Sequence, residues 1–121
     1  MRILGFSKHW VKLEEKEFTT FRFQRRDADW EIGEQVQIVY KPRTKGREIL
    51  GVATIIGRNT RLIPSAASYV AKVNAPLITH AEVVADGFES VNEMRQWLQR
   101  AYGRERVLLM NKLTLRKIGD W

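Results

Sequence analysis

The chain has 121 residues, 44% of them apolar and 29% charged, which is the composition of one folded domain rather than a disordered segment. It has no cysteine, and this excludes disulfides, thiolate nucleophiles and cysteine-based zinc sites. Lys and Arg total 21 against 14 Asp and Glu, so a net charge of +7 favours phosphate-bearing partners, nucleic acid or nucleotide foremost.

Residues 2–6, "RILGF", read as a short strand. A short helix is expected within "SKHWVKLEEK", with Ser7 as its N-cap and Trp10, Val11 and Leu13 within one turn. Residues 18–23 alternate as a strand, with Thr19, Phe21 and Phe23 on one face and Phe18, Thr20 and Arg22 on the other. A charged connection over 24–34 follows. "EQVQIVY" and "ILGVATIIG" flank the turn "KPRTKGRE" and read as a hairpin with a basic tip of Lys41, Arg43, Lys45 and Arg47. Residues 59–76 read as an irregular segment or partial strand.

Two capping boxes then announce two helices. Thr79 with Glu82 opens the first, which Gly87 can close; Ser90 with Glu93 opens the second, which Gly103 can close. The second carries an apolar stripe of Val91, Met94, Trp97, Leu98, Ala101 and Tyr102. The stretch 106–118 reads as one long strand, bent near Asn111. Strand, helix, three strands, two helices and a strand do not make a doubly wound parallel sheet. The expected class is α+β, a small mixed or antiparallel barrel with flanking helices, as one domain over 1–121.

Arg22, Arg25 and Arg26 crowd like charge beside the strand at 18–23, with Asp27 and Asp29 as available partners. Guanidinium groups bind phosphate in a two-pronged fork, so this cluster is a candidate anion site. Trp30, in the charged loop, is the candidate for stacking on a base, while Trp97 falls on the apolar stripe and reads as core. His9 and His80 lack metal-ligand spacing, and no phosphate-binding glycine loop is present, so no metal and no cofactor is expected. The N-terminal apolar run is too short for a secretory signal, and no stretch approaches the ~20 residues that span a bilayer. The expectation is a soluble cytoplasmic protein without a membrane partner.

The segments "FTTFRFQRRDADWEIGEQVQIVY", "HAEVVADGFESVNEMRQWLQRAYG" and "VLLMNKLTL" together resemble the ASCH domain, a branch of the PUA-like superfamily. Gly33-Glu34, Asp86-Gly87-Phe88 and Met94/Trp97/Leu98 stand where that family has its Gly-Asp or Gly-Glu pair, its acid before Gly-Phe and its apolar helix pair. The resemblance spans roughly residues 3–118. It implies a PUA-like barrel and a role in RNA binding; one bacterial branch hydrolyses acetylated cytidine, and a ribonuclease has been proposed for another member. In the hydrolase branch a lysine, a threonine three residues on, and a carboxylate do the work. One register, set by Arg22, makes Thr20 the threonine and leaves Glu17 where the lysine belongs. The other matches Lys16 and Thr19 and displaces the arginine. The first is preferred, because it keeps Thr20 and Arg22 on one strand face; the lysine is then missing unless Lys16 reaches round from a bulge.

Two functions follow. The first is an RNA- or nucleotide-binding module in which Thr20, Arg22, Asp86 and the loop 24–30 form one cleft: Arg22, Arg25 and Arg26 hold phosphate, Thr20 and Asp86 bond a base or sugar, and the hairpin tip adds attraction. The second is a small hydrolase of a modified nucleoside or RNA, using Thr20, Asp86 and either Lys16 or Glu17. A protein-interaction domain without pocket chemistry would instead leave Thr20 and Asp86 far apart.

Overall fold

The computed structural model describes residues 1–8, 10–25, 27–63, 76–102, 108–119 and 121. Five strands and two helices follow the expected order: β1 (Arg2–Phe6), a 3-10 turn (Val11–Glu14), β2 (Glu17–Arg22), β3 (Gln35–Tyr40), β4 (Glu48–Ile63), α1 (His80–Asp86), α2 (Val91–Tyr102) and β5 (Leu108–Ile118). The α+β class is therefore observed. The strands form one mixed sheet in the order β1-β3-β4-β5-β2, in which only the β1–β3 pair is parallel.

The sheet does not close by hydrogen bonding, so the expected barrel is replaced by an open sheet with β1 and β2 at its two ends. The two ends nevertheless meet through side chains. Phe6 of β1 packs edge-on against Phe18 of β2, with ring centroids 6.3 Å apart. One buried cluster draws on all five strands, with Leu4, Phe18, Val36, Ile55 and Leu115 among its members. Trp30 joins this cluster and Trp121 caps it, the latter donating from Nε1 to the Val52 carbonyl. A second cluster holds Phe21, Ile63, Val83, Phe88, Met94 and Met110, packing α1 and α2 on the sheet; Trp10 touches both clusters. Removing these side chains from water, at roughly 1.5–3 kcal/mol for each large one, is what holds the curled sheet together.

Local chemistry explains most of the elements. Thr79 and Glu82 form the full capping box expected at α1, and Gly87 ends the helix in the left-handed region at φ 114°. Gly87 also meets a spatial limit, since a Cβ there would lie 2.6 Å from the Trp10 ring. The α2 start is half of the expected box. Ser90 accepts from the Glu93 N–H, but the Glu93 carboxylate accepts from Glu89 N–H rather than from Ser90. Ser7 does not cap the turn at 11–14: Trp10 occupies the cap position, without a side-chain bond, and the turn is 3-10 rather than α. β4 runs to Ile63, beyond the predicted end, with a bulge between Ile55 and Gly57 that bends it as it leaves β3 and stays with β5. Residues 64–75 of the irregular segment, and Gly103, lie outside the described residues. No helix among the described residues is long and apolar enough to cross a membrane.

Glu82 fastens α1 to the sheet. Its carboxylate accepts from Lys112 Nζ on β5 at 2.7 Å, from Arg61 Nε on β4 at 2.9 Å and from the Thr79 N–H at 3.0 Å. Burial alone would raise its pKa; the Lys112 ammonium, the Thr79 N–H and the Arg61 guanidinium outweigh this and hold it at about 2, below the ordinary 4.5. A depressed carboxylate contributes stability above its unfolded value and loses it as pH falls through the folded one. Urea unfolding should therefore show a contribution of about 3 kcal/mol disappearing between pH 4.5 and pH 2, and Glu82→Gln should remove that part of the pH dependence.

Candidate functional site

The gap between the two sheet ends opens into a cavity of about 410 Å³. Gly5, Phe6 and Ser7 come to it from the end of β1, and Thr20, Phe21 and Arg22 from the end of β2. Trp10 and Lys12 enter from the 3-10 turn region, and Asp86 and Phe88 from the α1–α2 junction. Met94, Trp97 and Leu98 of α2 and Met110 of β5 complete the wall. The volume lies within the range of small-molecule pockets.

Thr20, Arg22 and Asp86 thus meet, as the strand-face reading of residues 18–23 and the acid before Gly87 led one to expect. Arg22 Nε donates to Thr20 Oγ1 at 3.3 Å, and its guanidinium lies 4.7 Å from the Phe6 ring centroid. Asp86 is no simple turn residue. It is 5% exposed and pairs with Lys12, whose Nζ donates to Oδ1 at 2.7 Å. Both side chains of this pair are 7% exposed. Burial pushes the Lys12 ammonium below its ordinary range and the Asp86 carboxyl above its own; their attraction opposes both shifts without cancelling them. Arg22 acts on both groups in the same sense, lowering the two pKa values.

A lysine does reach the cavity, from outside the strand. Lys12 stands eight positions before Thr20 in the chain, outside the spacing that sequence comparison of short motifs can detect. The signal was a cation set among Trp10, Val11 and Leu13, and only the bond to Asp86, far along the chain, marks it as turned inward. Lys16 and Glu17 go elsewhere. Glu17 is exposed and pairs with Arg116 at 2.8 Å, and Lys16 lines separate surface depressions with Glu14 or Arg116.

The loop 24–30 also departs from expectation. Trp30 is 5% exposed and belongs to the core, covered by the Arg2 guanidinium 4.4 Å from its ring centroid. Arg2 ties this loop down through Glu34 at 2.6 Å and the Asp29 carbonyl at 2.9 Å. Arg25 lies 5.5 Å from the same ring, with Asp27 4.0 Å away, and does not line the cavity. Arg26 lies outside the described residues. The aromatic walls are instead Phe6, Trp10, Phe88 and Trp97. Trp10 sits 5.2 Å from Phe88 and 6.5 Å from Trp97, centroid to centroid. Trp97, read from the helix stripe as core, is half-buried with an edge on the cavity. Lys41, Arg43 and Lys45 line a neighbouring groove rather than this cavity, and Arg47 lines neither. Among the described residues no group of three or more His, Asp or Glu could hold a metal ion.

No protein-family model, curated protein or solved structure matches the chain.

Hydrophobic replacement of a buried ion pair is often neutral or stabilising, whereas removing one partner strands a buried charge. Lys12→Met should cost about 3–5 kcal/mol in urea unfolding at pH 7, and Lys12→Met/Asp86→Leu should regain most of that loss. Recovery in the double variant would show that the pair is not retained for stability.

Proposed function

We propose that the chain is a nucleotide- or RNA-binding module of the ASCH, PUA-like type, and that the cavity between the sheet ends takes a nucleobase with its sugar. The observation that carries this reading is the pairing of aromatic walls with a polar group at each of three chemistries in one cavity: a hydroxyl, a carboxyl and two cations. A heteroaromatic ring gains from contact with Trp10, Trp97 and Phe88, as base–aromatic stacking is worth about 1–3 kcal/mol per base. Its edge atoms need both donors and acceptors, which Lys12, Arg22, Thr20 and Asp86 offer. The net charge of +7 adds attraction for a phosphate-bearing ligand.

A second reading, hydrolysis of an acylated nucleoside, is favoured by one specific feature. Burial moves Lys12 toward the neutral amine and Asp86 toward the neutral acid, and those are the forms needed for a base and an acid. In that chemistry Thr20 Oγ forms a bond to the acyl carbon as its proton passes to the Lys12 amine. The amide C–N bond then breaks, the leaving nitrogen takes a proton from Asp86, and water releases the acyl group from Thr20. The proton held by Lys12 returns the Asp86 carboxyl to its starting state.

Titration with cytidine should quench tryptophan fluorescence to saturation, and Thr20→Val, which removes the hydroxyl and keeps the bulk, should weaken binding about tenfold. Incubation with N4-acetylcytidine separates the two readings. Turnover that falls at least 100-fold in Thr20→Val supports hydrolysis; binding without turnover leaves the binding module; absence of any quench removes both.

A further inference from the structure

We propose that the ligand is a single-stranded nucleic acid that continues out of the cavity into a second groove beneath the β3–β4 turn. The inference rests on the pocket reading above. That pocket, at about 410 Å³, accommodates one nucleoside and no more of a chain. A larger and more open groove of about 990 Å³ lies beside it, lined by Ile3 and by the turn residues 41–46. Gly5, Phe6 and Ser7 line both spaces, so the end of β1 is a shared wall rather than a barrier.

The groove has the chemistry of a phosphate track. Lys41, Arg43 and Lys45 are exposed along it, and no carboxylate lines it among the described residues. Its shape is set by the backbone of the turn. The Lys41 N–H donates to the Phe6 carbonyl at 2.8 Å, and Lys41 sits at φ 46° with its own carbonyl accepting from the Thr44 N–H and Oγ1. Pro42 closes on β1 so tightly that a Cβ on Gly5 would lie 2.7 Å from its Cγ. The turn is thus folded back onto the strand whose end borders the pocket. Phosphates on either side of a base seated among the aromatic rings would leave past Ser7 and meet these cations, with Ile3 and Pro42 as apolar ground for the adjoining nucleotide.

The test compares cytidine with a single-stranded oligocytidylate of about ten nucleotides, each titrated against the wild type and against Arg43→Ala/Lys45→Ala. Lys41 is left in place because its backbone shapes the turn. The oligonucleotide should bind wild type at least tenfold more tightly than cytidine. In the double variant its affinity should fall about tenfold at low salt, and the slope of log affinity against log salt should flatten by about 1.4, at about 0.7 per lost contact to a single strand. Cytidine quenching should not change. If cytidine quenches but the oligonucleotide binds no more tightly, or is indifferent to the double variant, the continuation into the groove is wrong and the pocket reading stands. If cytidine gives no quench while the oligonucleotide still depends on Arg43 and Lys45, the groove acts alone and both readings fall.

Discussion

A five-stranded sheet that curls until its two ends face each other, without hydrogen bonds between them, must fill the seam with side chains. Here Phe6 and Phe18 fill one stretch of it by direct ring contact. Further along, where β1 and β2 run out, the seam is left to Arg22, Thr20 and whatever the helices bring across. The cavity follows from that geometry: a closed ladder would leave no gap between the strand ends, and a flat sheet would leave no hollow. The bulge in β4, the aromatic contact of Phe18 with Trp121 and the packing of α1 and α2 on the sheet maintain the curl.

Two carboxylates one helical turn apart on α1 show how differently this scaffold treats charge. Glu82 receives two cations and a backbone N–H, and its ionised form is stabilised. Asp86 receives one ammonium in a far drier place, and burial prevails. The first is an anchor between helix and sheet; the second is suspended over the cavity. An acid at a helix C-terminus is opposed by the helix dipole as well as by desolvation. Nothing in the local stability of α1 asks for an aspartate there. What its placement does is bury a carboxyl against Lys12 at the cavity wall, and that burial raises its pKa.

The groove beside the pocket extends the same logic from the interior to the surface. Lys12 and Arg22 are cations held under or beside aromatic rings, Lys12 with its charge partly neutralised by Asp86 and Arg22 sharing a bond with Thr20. Those on the hairpin turn are exposed, on a turn whose backbone bonds to the Phe6 carbonyl and to itself. The proposed ligand, with one planar ring and a chain of phosphates, draws on both environments.

Much of the architecture was legible in the order of residues. Alternation placed β2, β3 and β5, capping chemistry placed the start of α1, and the basic turn marked the hairpin, because each depends on neighbours a few positions apart. Thr20 and Arg22 were readable as neighbours for the same reason, since strand period puts both on one face, whereas Asp86 was singled out only through the resemblance. The burial of Lys12, the core position of Trp30 and the place of Trp97 between core and cavity wall were not readable. Whether an aromatic ring is core or wall depends on what covers it, and Arg2, distant in sequence from Trp30, covers that ring. Whether a lysine is solvated or buried depends likewise on a partner 74 positions away. The residue pattern by itself determined an α+β domain with a basic surface and a hydroxyl and guanidinium side by side on a strand. Tertiary structure alone decided that the sheet stays open, that the side chain of Lys12 lies in the same cavity as they do, and that aromatic rings surround the place, since contacts across such separations leave no periodic trace in the chain.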